Sequence, residues 1–207
     1  MSPTPPSSLP ADERDLTSAA RIRNAALERF AQAGIADTSI RDVAKAAGVS
    51  PGLVQHHFKT KDKLRQAVND HVTASVVAAF ADLREIEQAD DPIAAAGDRI
   101  TAFIAGDPVA MRYLGRALAD GDPTARQIFD AFVGVIESGI ERVARRRALR
   151  PDLDLRWAAL HLVVFNLATV LFEGAISANL PAPLFDAEQL RRWNVATTEL
   201  YRDGMFG

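Results

Sequence analysis

Apolar and polar residues alternate at helical spacing between Ser39 and Ala47. Four apolar residues fall at positions i, i+3, i+4 and i+7, which is the pattern of one buried face on a helix of about two turns. These are Ile40, Val43, Ala44 and Ala47. Ser39 is a suitable N-cap, and Asp42 three positions later can complete an acidic variant of the capping box. Gly48 then stands where a left-handed residue normally ends a helix.

A second short helix is predicted immediately after this one. Ser50 can cap it, and Pro51 lies in its first turn, where the missing amide hydrogen is not needed. Val54 and Phe58 are four positions apart and face inward together. Two helices joined by a short turn that contains Gly form a helix-turn-helix, whose second helix can enter a DNA major groove. Helical pairs of this shape also occur without DNA, so the exposed side chains have to decide.

The outward face of the second helix is short and polar. It consists of Pro51, Gly52, Gln55 and His56. Gln can bond bidentately to adenine, and small residues at a helix N-terminus allow close approach to base edges and phosphates. Residues 39–65 contain six basic side chains and two acidic ones. This local positive charge on an acidic protein favours a nucleic-acid interface.

Residues 21–72 as a whole resemble the N-terminal DNA-binding domain of the TetR family of bacterial transcriptional repressors. The resemblance lies in a first helix with Ala25, Ala26, Phe30 and Gly34, in the string TSIRDVAKAAGVSPG, and in the string HHFKTKDKL. It implies that residues 50–52 and His56 contact bases or phosphates. It also implies that Lys61, at the start of a fourth helix, holds a phosphate.

One position departs from the family pattern. The family usually has Leu-Tyr before the His-Phe or Tyr-Phe element, whereas this chain has Val54-Gln55. The common Tyr contact is thus replaced by Gln55, which is a candidate for reading a base instead of binding a phosphate. The residues predicted to contact DNA are Ser39, Arg41, Ser50, Pro51, Gly52, Leu53, Gln55, His56, His57 and Lys61.

Helical periodicity continues through the remainder of the chain, and no strand pattern or internal repeat is visible. Thr60 can cap a long fourth helix whose apolar stripe continues through Leu83 into the high eighties. Further helices are predicted over residues 93–104, 108–119, 124–147 and 153–178, and a last one from about Asp186. The predicted fold is all-α, with an N-terminal three-helix DNA-binding domain containing the helix-turn-helix and a C-terminal helical bundle, for which the resemblance implies effector binding and dimerisation. The expected divisions are a disordered tail at residues 1–17, the DNA-binding domain at 18–65 and the C-terminal domain at 66–207.

The helix predicted over residues 153–178 is apolar on nearly every face. Between Trp157 and Phe172 its only polar side chains are His161, Asn166 and Thr169, and the run is too short and too polar to span a membrane. A helix of this kind has to be covered on several sides. Together with the last helix it resembles the pair through which TetR-family repressors dimerise, so the resemblance implies a homodimer.

The resemblance also implies that the C-terminal domain binds a small effector between its helices. His161 is expected to be buried, either as a satisfied core histidine or as a polar anchor of the effector pocket. Aromatic and Met residues at helical spacing are more often core than ligand contacts. The candidates for the pocket are Phe103, Met111, Tyr113, Phe129, Trp157, His161, Phe165 and Asn166.

Composition limits the chemistry further. The 207 residues are 48% hydrophobic and contain no Cys, which excludes disulfides and thiolate metal sites and suits a reducing cytoplasm. The four histidines lack the spacing and the acidic partners of a metal site, and no catalytic or cofactor-binding motif is present. The net charge is −3, yet residues 1–72 carry ten basic and eight acidic side chains. Five Arg residues between 142 and 150 are more simply a solvated helix end than a second nucleic-acid patch.

These observations predict a ligand-responsive repressor. It would be a cytoplasmic homodimer that binds a palindromic double-stranded DNA operator and is released by a small-molecule effector, with no catalytic activity, no cofactor, no metal and no membrane contact. The alternative is a helical ligand-binding or interaction protein that keeps the helix-turn-helix only as a scaffold.

Overall fold

The computed structural model describes residues 11–81 and 84–206, and this part of the chain contains eleven helices and no sheet. The helices are α1 (Ala11–Ala33), α2 (Ile40–Ala47), α3 (Pro51–Phe58), α4 (Lys61–Ala79), α5 (Arg84–Gln88), α6 (Pro92–Gly106), α7 (Pro108–Ala119), α8 (Pro123–Ala144), α9 (Leu155–Leu171), α10 (Glu173–Ser177) and α11 (Ala187–Met205). A single antiparallel bridge joins Leu149 and Phe206. The chain divides into two compact units, and the boundary lies between Val68 and Asn69, inside α4. The prediction of an all-α fold is confirmed.

The first unit is built from α1, α2, α3 and the start of α4. Its core is made of one buried face from each helix, including Ile22, Phe30, Val43, Val54 and Leu64. The helix α1 begins at Ala11, seven residues before the predicted start at Ser18. Residues 1–10 of the predicted tail lie outside the described residues.

The local signals for the helix-turn-helix are all realised in the structure. The side chain of Ser39 accepts a hydrogen bond from the backbone N–H of Asp42, and the Asp42 carboxylate accepts one from the backbone N–H of Ser39. Gly48 has φ 65° and ψ 38°, the left-handed conformation in which Gly carries no steric penalty. The Ser50 hydroxyl accepts from the N–H of Leu53 at 3.2 Å. The turn between α2 and α3 is therefore specified by residues within four positions of each other.

Aspartate caps begin most helices of the second unit. The N-cap residues are Asp91 for α6, Asp107 for α7, Asp122 for α8, Asp154 for α9 and Asp186 for α11. In α6, α7 and α8 a Pro occupies the first position, where it has no hydrogen bond to lose. These Asp-Pro pairs account for the agreement between the predicted and observed helix starts.

Two predicted helices are shorter in the structure. The helix α4 ends at Ala79 and not in the high eighties, and Leu83 lies outside the described residues. The helix predicted over residues 153–178 is divided into α9 and α10, because Phe172 leaves the helical conformation with ψ 16°. No Gly or Pro marks either point in the sequence. A tertiary ion pair lies beside the second break, since Arg112 Nη1 is 3.4 Å from Oε2 of Glu173 at the start of α10.

The Arg residues at the end of α8 are not merely solvated. Arg142 Nη1 lies 3.0 Å from Oε1 of Glu87, and Arg146 donates to the backbone oxygen of the same residue at 2.8 Å. These contacts tie α5 to α8 within the second unit. Protein groups thus partly neutralise the positive charge of these Arg residues. This favours a structural role for them over a nucleic-acid patch.

Candidate nucleic-acid interface and ligand cavity

The helix α3 presents one buried and one exposed face. Val54 is completely buried, whereas Pro51, Gly52, Gln55 and His56 are exposed. Adding a Cβ to Gly52 would meet only the Ser50 hydroxyl, at 3.8 Å, so the helix start is open to a partner. This N-terminal turn offers backbone N–H groups and small side chains, which together can approach phosphates and base edges.

The other residues predicted to contact DNA surround this face. Ser39, Arg41 and Ser50 are exposed, and Leu53, His57 and Lys61 are half-buried. Lys61 Nζ donates to the backbone oxygen of Ala36 at 3.1 Å, so this ammonium group is held near the loop that precedes α2.

The two acidic residues among residues 39–65, Asp42 and Asp62, are occupied by local contacts. The hydrogen bond from the Ser39 side chain, aided by the Ser39 backbone N–H, lowers the pKa of Asp42 below its usual value. Asp62 lies 3.7 Å from Nε of Arg65. The basic side chains of residues 39–65 therefore remain in excess on a surface that a polyanion could reach.

A cavity of about 90 Å³ lies within the second unit, between α6, α8, α9 and α11. Its apolar wall includes Phe80, Ile93, Ile100, Ile136, Ile140, Leu162 and Phe206. Its polar wall residues are Thr101, Asn166, Trp193, Asn194, Thr197, Thr198 and Tyr201. Burial raises the pKa of Tyr201 to about 12, so this phenol is neutral at any physiological pH. No charged side chain of the described residues lines the cavity.

Of the residues predicted to bind the effector, only Asn166 lines this cavity. Phe103 packs behind the wall, with its ring 5.6 Å from that of Phe80. Met111 and Tyr113 are buried in the core of the second unit, and Phe129 is half-buried on α8.

The three remaining candidates lie on the outer face of α9. Trp157 is 58% exposed and Phe165 is 41% exposed. His161 is also exposed, with its ring 5.5 Å from that of Trp157, so the expectation that it is buried is wrong. Because α9 is apolar on all sides, its sequence does not indicate which face packs inward. In the structure the bundle covers only one side of the helix.

Most of the cavity residues are not indicated by the sequence. The principal omissions are Thr101 and Trp193, whose side chains bring polar atoms to an apolar wall. Trp193 belongs to the apolar stripe of the last helix, and Ile136 and Ile140 belong to the stripe of α8. Periodicity identifies such residues as inward-facing, but it does not indicate where facing stripes leave a void.

Two structural features were sought in the described residues, a cluster of metal ligands and a membrane-spanning helix. No group of three or more metal-ligating side chains occurs in residues 11–81 and 84–206. None of the helices in that part of the chain has an apolar stretch long enough to cross a bilayer.

Comparison with known proteins identifies both units. Residues 22–68 match the family described as bacterial regulatory proteins, tetR family, and residues 107–207 match the tetracyclin repressor-like C-terminal domain. The chain belongs to the TetR family. TetR-family proteins are transcriptional regulators with a helix-turn-helix DNA-binding domain and a C-terminal ligand-binding domain, and the resemblance noted in the sequence is confirmed.

Curated relatives and solved structures agree with membership of the TetR family. The HTH-type transcriptional regulatory protein RaaS of Mycobacterium tuberculosis is 32% identical over 72% of this chain and 68% of its own length. An HTH-type transcriptional repressor of the same organism is 36% identical over 74% of this chain and 72% of its own length. A gamma-butyrolactone receptor structure superposes with a TM-score of 0.71 at 19% identity, covering 93% of this chain and 90% of that one. The structural likeness shows that the fold is shared.

Proposed function

We propose that this chain is a ligand-responsive repressor that acts as a homodimer on a palindromic operator. Residues 18–65 form its DNA-binding domain, and residues 66–207 form its effector-binding and dimerisation domain. Its activity is binding and not catalysis, since its family and curated relatives are transcriptional regulators. Because such a regulator works on bacterial DNA, its compartment is the cytoplasm.

The exposed start of α3 carries the DNA-binding part of the proposal. The exposed side chains at the start of α3 are short enough for this turn to enter a major groove. They belong to Pro51, Gly52, Gln55 and His56. The capped turn before α3 fixes the direction of the helix. Gln55 is the side chain best suited to read a base, because its amide can bond bidentately to adenine. Ser39, Arg41 and Lys61 supply contacts to the flanking phosphates.

The exposed apolar face of α9 supports dimerisation. Trp157, Val164 and Leu171 follow one another at seven-residue intervals, as do Phe165 and Phe172, and all five are more than 40% exposed. A seven-residue repeat places side chains on one side of a helix. Val195 and Leu200 of α11 are exposed as well. A contiguous apolar face of this kind is typical of an interface, and a second copy of the chain is the partner that a palindromic operator requires.

The cavity between α6, α8, α9 and α11 is the proposed effector site. This cavity differs from the pocket expected from the sequence. Asn166 remains a proposed effector contact, whereas we assign Trp157, His161 and Phe165 to the dimer face. An effector in the cavity lowers the affinity for DNA only to the extent that it prefers the conformation that does not bind DNA. The coupling therefore works in both directions, and operator DNA weakens effector binding by the same factor.

Footprinting on the DNA that flanks the gene for this protein tests the proposal. We expect protection of an inverted repeat, with half-sites one helical turn or a multiple of it apart. Random DNA of equal length serves as the control at the same salt concentration, because phosphate contacts alone give salt-dependent binding. Equal affinity for random and flanking DNA would instead support the alternative of a helical protein that retains the helix-turn-helix as a scaffold.

A further inference from the structure

We infer that the ligand of the cavity is a slender, uncharged, mainly apolar molecule with one group that both donates and accepts hydrogen bonds. A hydroxyl or a secondary amide has this property. This inference rests on the proposed function of the cavity as the effector site, and it specifies the chemical class of the effector.

The absence of charge on the wall excludes ionised ligands. The described residues of the wall include no Lys, Arg, His, Asp or Glu. A carboxylate or an ammonium group buried there would lose its hydration without gaining a counter-ion, and this penalty is prohibitive in an apolar environment. The effector is therefore neutral over the part that enters the cavity.

Three wall residues carry buried polar atoms without a hydrogen-bond partner among the described residues. They are Oδ1 of Asn166, Nε1 of Trp193 and Oγ1 of Thr101. Asn166 is 2% exposed, and its Nδ2 already donates to the backbone oxygen of Leu162 at 2.7 Å. Its Oδ1 can only accept, whereas the indole N–H of Trp193 can only donate. A single ligand group that pairs with both atoms must itself donate and accept.

Two neighbouring polar residues of the wall, Asn194 and Thr198, are already paired with protein groups. Asn194 donates from Nδ2 to Asp98 at 2.5 Å, and its Oδ1 accepts from the hydroxyl of Thr198 at 3.3 Å. Asn166 and Trp193, from two different helices, therefore stand out. An unpaired buried polar atom costs about 1–3 kcal/mol, so a ligand that displaces solvent from the cavity avoids this cost by pairing with these atoms.

The size of the cavity limits the shape of the ligand. Its volume of about 90 Å³ is several times what one water molecule needs, but it lies below the usual range of about 300–1,000 Å³ for drug-sized sites. The cavity is narrow beside Gly97 of α6, because α11 approaches so closely there that a Cβ atom on Gly97 would collide with the Thr198 hydroxyl. Gly139 on α8 leaves open space on another side, since a Cβ there would meet no atom within 4 Å. An unbranched alkyl chain fits such a space better than a rigid ring system.

Four matched probes of equal chain length test the inference with the full-length protein. They are hexanol, which donates and accepts, methyl pentyl ether, which only accepts, hexanoate and hexylammonium. Binding is followed at neutral pH through the indole N–H signals in heteronuclear NMR spectra. The protein has two Trp residues. The cavity residue Trp193 reports binding, and Trp157, which does not line the cavity, is an internal reference.

We expect hexanol to shift the Trp193 signal and to bind several times more tightly than the ether, while hexanoate and hexylammonium leave the signal unchanged. Hexanoate binding as tightly as hexanol would overturn the inference about charge and leave the cavity as the effector site. If the ether binds as tightly as hexanol, the donating requirement is wrong. If no probe moves the Trp193 signal, the cavity does not take ligands, and both this inference and the proposed effector site fail, whereas the footprint on DNA stands independently.

Two variants distinguish the contribution of the hydrogen bond to ligand binding from that of the cavity volume. Asn166→Leu should weaken hexanol about five-fold, which corresponds to one ordinary hydrogen bond, and should leave the ether unaffected. Gly139→Leu should abolish binding of both by filling the cavity. Gly134→Leu is the matched control, because Gly134 lies on the same helix, has open space around its Cβ and does not line the cavity. Equal loss of hexanol and ether in Asn166→Leu would mean that this residue shapes the cavity without bonding to the ligand.

Discussion

The hydroxyl of Tyr113 donates a hydrogen bond to Oδ1 of Asn69 at 2.6 Å, and each of the two side chains is 1% exposed. Tyr113 lies on α7 and Asn69 on α4, at the start of the second unit. The apolar stripe of α4 includes Val68 and Val72, so Asn69 is a polar group in an apolar setting. Such a buried bond between side chains of two helices favours the register in which the two residues meet.

The first prediction tests this bond. Tyr113→Phe should lower the free energy of unfolding by about 1–3 kcal/mol, because it leaves the buried Asn69 oxygen without the phenol. Asn69→Leu combined with Tyr113→Phe should recover much of that loss, since both polar groups are then absent. Urea denaturation of the two single variants and the double variant gives the coupling energy. Additive effects of the two substitutions would show that the bond contributes no coupling.

Local signals in the sequence were sufficient to predict the helix-turn-helix. The caps at Ser39, Gly48 and Ser50 each form hydrogen bonds with groups within four positions. None of these caps therefore depends on the rest of the fold. The end of α4 at Ala79 is different, because no breaking residue stands there. That end depends on tertiary contacts, including a hydrogen bond from Arg99 to the Ala79 oxygen at 2.5 Å, which the sequence alone does not reveal.

The ligand cavity was only partly predictable for a related reason. Asn166 could be chosen from the sequence because a polar residue in an apolar helix needs an explanation. Trp157 and His161 are predicted pocket residues of the same helix, yet both are exposed. Helical periodicity distinguishes faces only when their polarity differs, and the faces of α9 hardly differ.

The second prediction is that Lys61 supplies affinity for phosphates and Gln55 supplies sequence discrimination. Lys61→Ala should weaken binding to all DNA sequences alike and reduce the slope of log affinity against log salt by about one. Gln55→Ala should relax the preference at one base pair, with a loss of about 1–3 kcal/mol for the cognate base. Titrations of specific and random DNA at several salt concentrations distinguish the two effects. Similar losses on both kinds of DNA for both variants would contradict this assignment.

The Lys61 substitution needs its own control. Lys61 also donates to the Ala36 oxygen, so its removal could loosen the first unit. Thermal unfolding of Lys61→Ala should therefore be compared with that of Gln55→Ala, whose exposed side chain has no such tether. An unchanged melting temperature assigns the lost affinity to the phosphate contact.

The third prediction extends the proposed dimer face of α9 and α11 to α10, which follows Phe172 directly. Ala175 is exposed in the protomer, so Ala175→Arg should leave the fold intact while placing a charge in the interface. We expect monomers by sedimentation. Val77→Arg is the matched control, because Val77 is an exposed apolar residue of α4 outside these helices. A dimer of unchanged stability in Ala175→Arg would place the interface elsewhere.

The ion pair between Asp91 and Arg202 supplies the fourth prediction. Asp91 caps α6 and lies 2.6 Å from Nη2 of Arg202 on α11, and this hydrogen bond lowers the pKa of Asp91 below its usual value. A lowered folded-state pKa stabilises the protein above the unfolded value of about 3.9, and the contribution is lost as the pH falls through the folded value. Asp91→Asn keeps a capping group but removes the charge, so it should cost less than about 1 kcal/mol at neutral pH.

Thermal unfolding of wild type and Asp91→Asn between pH 7 and pH 3 measures this contribution. The difference in stability should be largest at neutral pH and should shrink below about pH 4. Asp91→Ala should cost a further 0.5–2 kcal/mol or so, because the cap is then lost as well. A difference between wild type and Asp91→Asn that persists unchanged at pH 3 would exclude the ion pair as its source.

The last prediction uses the open space beside Gly139. Replacing Gly by Ala within a helix gains about 0.8–1 kcal/mol, so Gly139→Ala and Gly134→Ala should stabilise the protein to a similar extent. Gly139→Leu should add about 1.5–3 kcal/mol to its Ala counterpart, because its side chain enters the apolar cavity. Gly134→Leu should add little, because that position does not line the cavity. Chemical denaturation of the four variants isolates the contribution of filling the cavity from that of helix propensity. If Gly139→Leu is less stable than Gly139→Ala, the space beside α8 is too narrow for an alkyl side chain, and by the same measure too narrow for the alkyl part of a ligand.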